Sequence, residues 1–547
     1  MNKLTSVILA TAAVLAFANV DFAQSKAQAT ATIEVHESIR NDTSKPLKPV
    51  QLPRAPLKLR QADRPRLNPN RLMGAFLFAP GLVDTAIQSK PGPDVQISIK
   101  ASAYALGIRD PADHRTLNVP PEVVPPDTNG VVGDTQYVQT VNTSFAVFDK
   151  KDLTKVAYGP VPINSLWKGF GGGCEQENDG DPLVQYDKIA NRWIISQFRI
   201  RGGYSQCIAV STSSDATGAY HRYEFSEPSM NDYPKMGVWP DAYYFTYNMF
   251  GDPEGARICA YERDKMLSGQ KAREVAVQLT SNYFSLLPAD FDGVPDAKHL
   301  PSDGSPCFFV SLGTAADTLD LWKFKVNWAS PTESTFGGDS HKPDATIQVA
   351  HFVDAASTDS GTVPQLGTPQ KLDTLGDRLL YRLAYRKFDD HESLVVSHCV
   401  KSTAVAAVRW YELRDPNGQP TVFQQGTFSP DSTCRWVGSL AMDKFGNLAV
   451  GYSASSSAEH PSIRVAVQKA NPDTSSRGIL STEHVLRKSA NSQGDAVRWG
   501  DYSCMSVDPA DDTTFYFTTE YLPDSAKSDW GTRVVAFTIG GNTTATP

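Results

Sequence analysis

The sequence predicts an all-β fold, a β-propeller of seven units behind an extended N-terminal arm, and three observations lead there. After about residue 125 the chain is filled with short runs rich in Val, Thr, Tyr, Phe and Trp, with almost no amphipathic helical period. A knot of small and charged residues followed by an apolar, aromatic run recurs along it. Arg498-Trp499-Gly500-Asp501-Tyr502-Ser503 is the clearest copy, and Asn178-Asp179-Gly180-Asp181-Pro182, Asn231-Asp232-Tyr233-Pro234-Lys235, Leu375-Gly376-Asp377-Arg378 and Cys434-Arg435-Trp436 are weaker ones. Hairpin signals fall inside the units, as at Asp415-Pro416-Asn417-Gly418 and Asp443-Lys444-Phe445-Gly446-Asn447. Repeated antiparallel modules whose first strand opens with polar groups are the pattern of a propeller, where those strands line a channel.

Taken in order, residues 1–23 read as a secretory signal peptide. Met1-Asn2-Lys3 is a basic n-region, Val7 to Val20 an apolar stretch too short for a comfortable membrane span, and small residues follow at Ala18 and Ala23. Residues 24–124 are an extended arm rich in Pro, Lys and Arg, exemplified by Arg64-Pro65-Arg66-Leu67-Asn68-Pro69. Such a composition buries too little apolar surface to offset its ordering entropy, so the arm is expected to drape over the domain. The alternation of Val95, Ile97 and Ile99 suggests an added edge strand. The propeller occupies 125–547, its units opening near Asp127, Asn178, Asn231, Cys307, Asp373, Cys434 and Arg498. One short helix is expected at Arg263 to Leu267.

Composition narrows the chemistry. A net charge of -8, with the basic residues concentrated in the arm, argues against nucleic acid as partner. A monomer is expected, since each unit packs against its neighbours. Seven cysteines in an exported chain imply a disulfide, and Cys174 with Cys207 is the favoured pair; Cys434 and Cys504 are a second candidate on adjacent inner strands. No CxxC, GxSxG, HExxH or P-loop pattern occurs, so no organic cofactor is expected, and His391 and His398 have the wrong spacing for a zinc helix.

Three constellations carry what chemistry there is. Asp127, Asp179, Asp181, Asp232, Asp241 and Asp501 stand at or near unit starts, where they either cap tight turns or converge. Converging carboxylates shift one another's pKa for acid–base work or bind a hard cation. Asp127-Thr128-Asn129-Gly130 and Asn178-Asp179-Gly180-Asp181 have the alternating oxygen spacing of calcium loops, which nominates Asp127, Asn129 and Asp179 as ligands. Arg378, Arg435 and Arg498 occupy comparable places in three successive units, either as a clamp on an acidic sugar or as ties between neighbouring strands. Trp239 and Trp499, with Trp167, Trp436 and Tyr521, either stack on sugar rings or pack the units together.

The strings Pro125-Pro126-Asp127-Thr128-Asn129-Gly130, Asp179-Gly180-Asp181-Pro182-Leu183, Asp232-Tyr233-Pro234-Lys235-Met236-Gly237-Val238-Trp239-Pro240-Asp241 and Arg498-Trp499-Gly500-Asp501-Tyr502 resemble those of a group of large secreted bacterial proteins. That resemblance spans Pro125 to about Tyr521 and carries no activity. Ser213-Ser214-Asp215-Ala216-Thr217-Gly218-Ala219-Tyr220 is similar to a degenerate Asp-box hairpin of sialidase-type propellers, with Thr217 where glycine is usual and Tyr220 where tryptophan is usual. This second likeness implies an arginine triad, a Tyr-Glu nucleophile pair and an Asp acid. By position in the repeat those roles fall on Arg378, Arg435, Arg498, Tyr502, Glu520 and Asp181.

Two functions follow. The preferred one is an exported, secreted or periplasmic propeller that binds an extracellular glycan or envelope partner at its channel mouth, stabilised by calcium. The other is a sialidase-like glycoside hydrolase or a polysaccharide lyase acting on an acidic sugar, with Asp181 or Asp501 as general acid or base. Geometry discriminates between them: two carboxyls about 5 to 10 Å apart in an open pocket favour catalysis.

Overall fold

The computed structural model describes residues 32–48, 60–61, 83–107, 123–315, 317–355, 361–470, 473–523 and 530–540. The expected signal peptide and much of the Pro-rich arm lie outside them. The described residues are nearly all β, with a single short α-helix where the sequence places one, Arg263–Leu267, and another of four residues at Gly173–Gln176. No described helix is long and apolar enough to cross a membrane.

The strands form a propeller. Among the described residues seven antiparallel units follow one another, each led by an inner strand: Asn129–Val132, Leu183–Asp187, Met230–Val238, Leu287–Asp292, Leu379–Lys387, Cys434–Met442 and Cys504–Val507. Each inner strand lies against the next, and Cys504–Val507 returns to Asn129–Val132. Between the fourth and fifth units the inner strands pair directly and in parallel, Ala289 opposite Leu383 through Asp292 opposite Arg386. The fourth unit opens at Leu287, one strand before the expected Cys307, which lies on its second strand. Leu287-Pro288-Ala289-Asp290-Phe291-Asp292 holds a proline and two aspartates, so it reads as a turn although it is an inner strand facing a polar axis.

Four short pieces of the N-terminal region are built into the units. Glu34–Glu37 extends the third unit, Arg40–Thr43 the second and Ile87–Gln88 the fifth, while Ile97–Gly107 is the fourth strand of the seventh. Covering sheet edges in this way satisfies backbone groups that would otherwise invite pairing with another chain. Apolar side chains are gathered in layers between units rather than in one centre. Trp193 and Cys207 of the second unit pack with Phe145 and Val147 of the first, and Phe515 and Phe537 of the seventh pack with Val465 and Val467 of the sixth.

The axis itself is polar. Arg382 Nη1 donates to Asp290 Oδ2 at 3.0 Å, its Nη2 pairs with Asp292, and its Nε reaches the Met505 carbonyl at 3.0 Å. Lys188 pairs with Asp292 from the second unit. Burial pushes both carboxyls up; at Asp292 the charges of Arg382 and Lys188 outweigh it and hold the pKa at about 2, whereas at Asp290 burial prevails.

Cys174 and Cys207 form a disulfide with Cα atoms 5.9 Å apart, whereas Cys434 and Cys504 are buried free thiols. The bond ties the short helix before the second unit to that unit's third strand. Its 33-residue separation implies a loss of about 2–4 kcal/mol in unfolding free energy for Cys174→Ser/Cys207→Ser. Denaturant titration without reductant checks this, and an unchanged midpoint would contradict it.

Candidate functional site

The inner strands begin at one end of the axis, and there Asp127, Asp181 and Asp501 meet. They come from the first, second and seventh units, all are buried, and one ligand oxygen from each lies within 4.8 Å of the others. Asp127 and Asp181 hold left-handed backbone, at φ 45 and 41, immediately before their strands. The same conformation recurs at the next four unit starts, at Tyr233, Ser285, Leu375 and Val437. Left-handed residues other than glycine carry strain of about 1–2 kcal/mol, and their accumulation at one end of a fold marks a site whose geometry the surroundings impose. Gly180, at φ 125, cannot be replaced without conflict, since a Cβ there would lie 2.8 Å from Asn142 Oδ1.

Hydrogen bonds fix the trio. The Asp501 amide donates to Asp127 Oδ1 at 2.8 Å, and Arg498 Nη2 donates to Asp501 Oδ1 at 2.7 Å. Asn142 bridges two units: its Nδ2 donates to Asp127 Oδ2 at 2.5 Å while its Oδ1 accepts from the Asp181 amide at 2.8 Å. The Tyr502 hydroxyl stands 3.2 Å from Asp181 Oδ2 and 3.0 Å from the Pro234 carbonyl, the two acceptors within reach of its single proton. Burial, then the Asp181 charge, drives that phenol well above the usual tyrosine range. Lys235 Nζ rests 3.0 Å from the Tyr233 ring centroid and 3.8 Å from that of Tyr502. Arg378 completes the edge, 4.8 Å from the Tyr233 ring and ion-paired with Asp377 at 2.6 Å.

Other nominated residues go elsewhere. Asn129 Oδ1 accepts the Val184 amide at 2.9 Å and so joins the first two inner strands. Asp179 accepts the amides of Ile200 and Arg201 and pairs with the Arg201 side chain, outside the carboxylate trio. Of the nominated calcium ligands Asp127, Asn129 and Asp179, the structure brings only Asp127 into the carboxylate trio, while Asn129 and Asp179 accept backbone amides. Arg435 forks between Asp431 and Glu483, at 3.0 Å each, so the three arginines do not share one target. Trp239 is wedged edge-on between Phe308 and Tyr385, and Trp499 packs on Trp436 with its N–H on Ser453; neither offers a ring face to a sugar. Asp241 lies past the far end of its strand, bonded to Tyr244 and pushed up to about 6 by burial.

The expected Tyr-Glu pair also differs. Tyr502 bonds Asp181, while Glu520 accepts the Gly500 amide behind the trio. Asn142, Tyr233 and Lys235 were given no role by sequence reasoning. Tyr233-Pro234-Lys235 sits inside a recognised knot, which was a usable signal; Asn142 follows an ordinary strand and had none. The Asp-box-like turn is built as a hairpin, with Asp215 Oδ1 accepting the Thr217 amide at 2.8 Å and Tyr220 fully buried beneath it.

Chemically, one oxygen from each of the three carboxylates falls within 4.8 Å of the others, close enough for a single ion to be shared between them. An all-oxygen donor set suits a hard cation.

No protein-family profile and no curated protein matches the chain. Among solved structures it is similar to the polysaccharide lyase Uly1, at 10% identity and TM-score 0.39, covering 81% of this chain and 99% of that one. An endo-arabinase from Bacteroides thetaiotaomicron matches at 11% identity and TM-score 0.27, over 66% of this chain and 94% of that one. The WD40 domain of SCAP from fission yeast matches at 9% and 0.31, over 74% and 82%. Likeness at this level transfers no chemistry, and the function must come from the site.

Glu520 gives the site a pH signature. Burial, then the nearby Asp501 charge, raises its carboxyl from 4.5 to about 8, although the Gly500 amide pulls the other way. The folded state thus keeps a proton that the unfolded chain releases, so stability falls as pH rises from about 4.5 to about 8. Glu520→Gln, which retains the Gly500 acceptor, is expected to lose less melting temperature across that window than wild type. Parallel curves would contradict the assignment.

Proposed function

We propose that this protein is an exported propeller that binds an acidic glycan at the end of its channel where Asp127, Asp181 and Asp501 meet, with a calcium ion held by those three carboxylates. The observation that carries the proposal is their convergence to within 4.8 Å, from three separate units, in buried positions. Arg498 is ion-paired with Asp501, and the Lys235 ammonium lies against the Tyr233 and Tyr502 rings. A divalent ion offsets the mutual repulsion of clustered carboxylates and offers an open coordination position to a sugar carboxylate or sulfate. Arg378 at the edge adds a guanidinium fork of the kind that recognises such groups. The disulfide supports export, because such bonds persist in oxidising compartments.

One observation favours the enzymatic alternative, hydrolysis or lyase cleavage of an acidic sugar. The Tyr502 hydroxyl, bonded to Asp181 with the Lys235 ammonium against its ring, is a proton-transfer group with charged neighbours.

Terbium luminescence and calcium titration of the mature protein, followed by retention on polygalacturonate and alginate with and without chelator, test the proposal. Wild type is expected to bind the ion and be retained, with Asp181→Asn weakened at least tenfold in both. Retention indifferent to chelator and to Asp181→Asn would defeat the calcium reading. Release of shortened or unsaturated sugar, abolished in Tyr502→Phe, would establish the enzyme instead.

A further inference from the structure

At the opposite end of the channel, where the inner strands finish, lies a cavity of about 440 Å³ lined by the fourth, fifth, sixth and seventh units. Leu379–Lys387 leads to it from the mouth over 9 residues, so the two ends are roughly 25 Å apart. A volume of this order is within the range of small-molecule sites.

Its lining has a definite chemical character. Lys387 Nζ is met by the Leu300 carbonyl at 3.1 Å and Lys444 Nζ by the Asp511 carbonyl at 3.0 Å, so among the described residues neither ammonium is paired with a carboxylate. The wall between them is charge-neutral, because Arg386 is held bidentately by Asp512 at 2.8 and 2.6 Å and Arg414 by Glu412 at 2.6 Å. Phe388 supplies an apolar surface, with the His391 ring stacked on it at 4.7 Å. His391 Nδ1 is bonded to Asp390 at 2.7 Å, while its Nε2 has no hydrogen-bond partner among the described residues and lies 4.0 Å from Glu412 Oε1. Asp389 and Asp390 stand exposed on the rim, Asp389 ion-paired with Lys298 at 2.5 Å and Asp390 bonded to His391.

We infer that this cavity is a second ligand site, for a single acidic sugar unit. Two unpaired ammonium groups call for an anion. The rim carboxylates argue against a polyanion such as a nucleoside triphosphate, which they would repel, and in favour of a ligand whose other groups are hydroxyl donors. The stacked Phe388 and His391 rings give the cavity an apolar wall against which a sugar's C–H groups can lie. The site shares no residue with the mouth, so it stands whether or not the calcium reading holds.

Titration calorimetry with D-glucuronate, D-glucose and inorganic sulfate on the mature protein tests this, alongside Lys387→Met/Lys444→Met and Asp181→Asn. Lys444 is exposed and Lys387 half-buried, and unchanged circular dichroism would show the double variant folded. Glucuronate is expected to bind wild type and Asp181→Asn alike, with glucose at least tenfold weaker and with at least tenfold lost in the double lysine variant. Absence of glucuronate binding to wild type would overturn the inference, as would full affinity in the lysine variant. Competition by sulfate at the same concentration as glucuronate would reduce the cavity to a plain anion site and also overturn it.

Discussion

Everything at the mouth depends on closing the ring between its last and first units. Ile97–Gly107, from before the first unit, pairs with Gly531–Ile539 of the seventh. Buried side chains then cross the seam. Thr532 Oγ1 accepts the Leu106 amide and donates to Gln139 Oε1 of the first unit, and Gln139 Nε2 donates to Thr518 Oγ1 at 2.7 Å. Tyr137 stacks on Tyr516 across the same seam at 5.9 Å. Each of these polar groups would be expensive to leave unpaired, so the seam accepts one register. Only with that register does the Asp501 amide reach Asp127 Oδ1.

The channel below is filled by charge rather than by an apolar plug. Buried ion pairs are not efficient stabilisers, since desolvation consumes most of the Coulombic gain, but removing one partner is costly. Arg382 illustrates this: with Asp290 and Asp292 on two nitrogens and the Met505 carbonyl on the third, it joins the fourth, fifth and seventh units at a single point. An axis built this way keeps the inner strands in mutual register and keeps the two ends of the channel distinct. The mouth gathers carboxylates, whereas the far end holds two lysines that no carboxylate among the described residues pairs, behind the rim carboxylates Asp389 and Asp390.

How much of this could be read beforehand follows from which forces are local. Alternating apolar runs and turn residues are local, so the propeller, the short helix and the Cys174–Cys207 pair were legible. A convergence of carboxylates from unit starts was legible in outline, since the ring converts equivalent places into neighbours, but of the six nominated only Asp127, Asp181 and Asp501 form the trio. Partners were not legible. Arg435 and Arg498 look alike in the repeat, yet one is claimed by Glu483 from its own sheet's outer edge and the other by Asp501 three residues away. Asp179 and Asp181 are two residues apart, but left-handed backbone turns Asp181 to the axis while Asp179 caps the segment at Ile200. The tryptophans were ambiguous for the opposite reason: large rings are needed between units as much as at a sugar site.

The most direct test of the central claim is anomalous diffraction from crystals of the mature protein soaked in terbium. The account predicts a peak with one oxygen each from Asp127, Asp181 and Asp501 at about 2.3–2.6 Å, the distance of calcium-type ligands. Density there explained by the Lys235 ammonium alone, with no peak, would contradict it, as would carboxylates splayed onto separate turns.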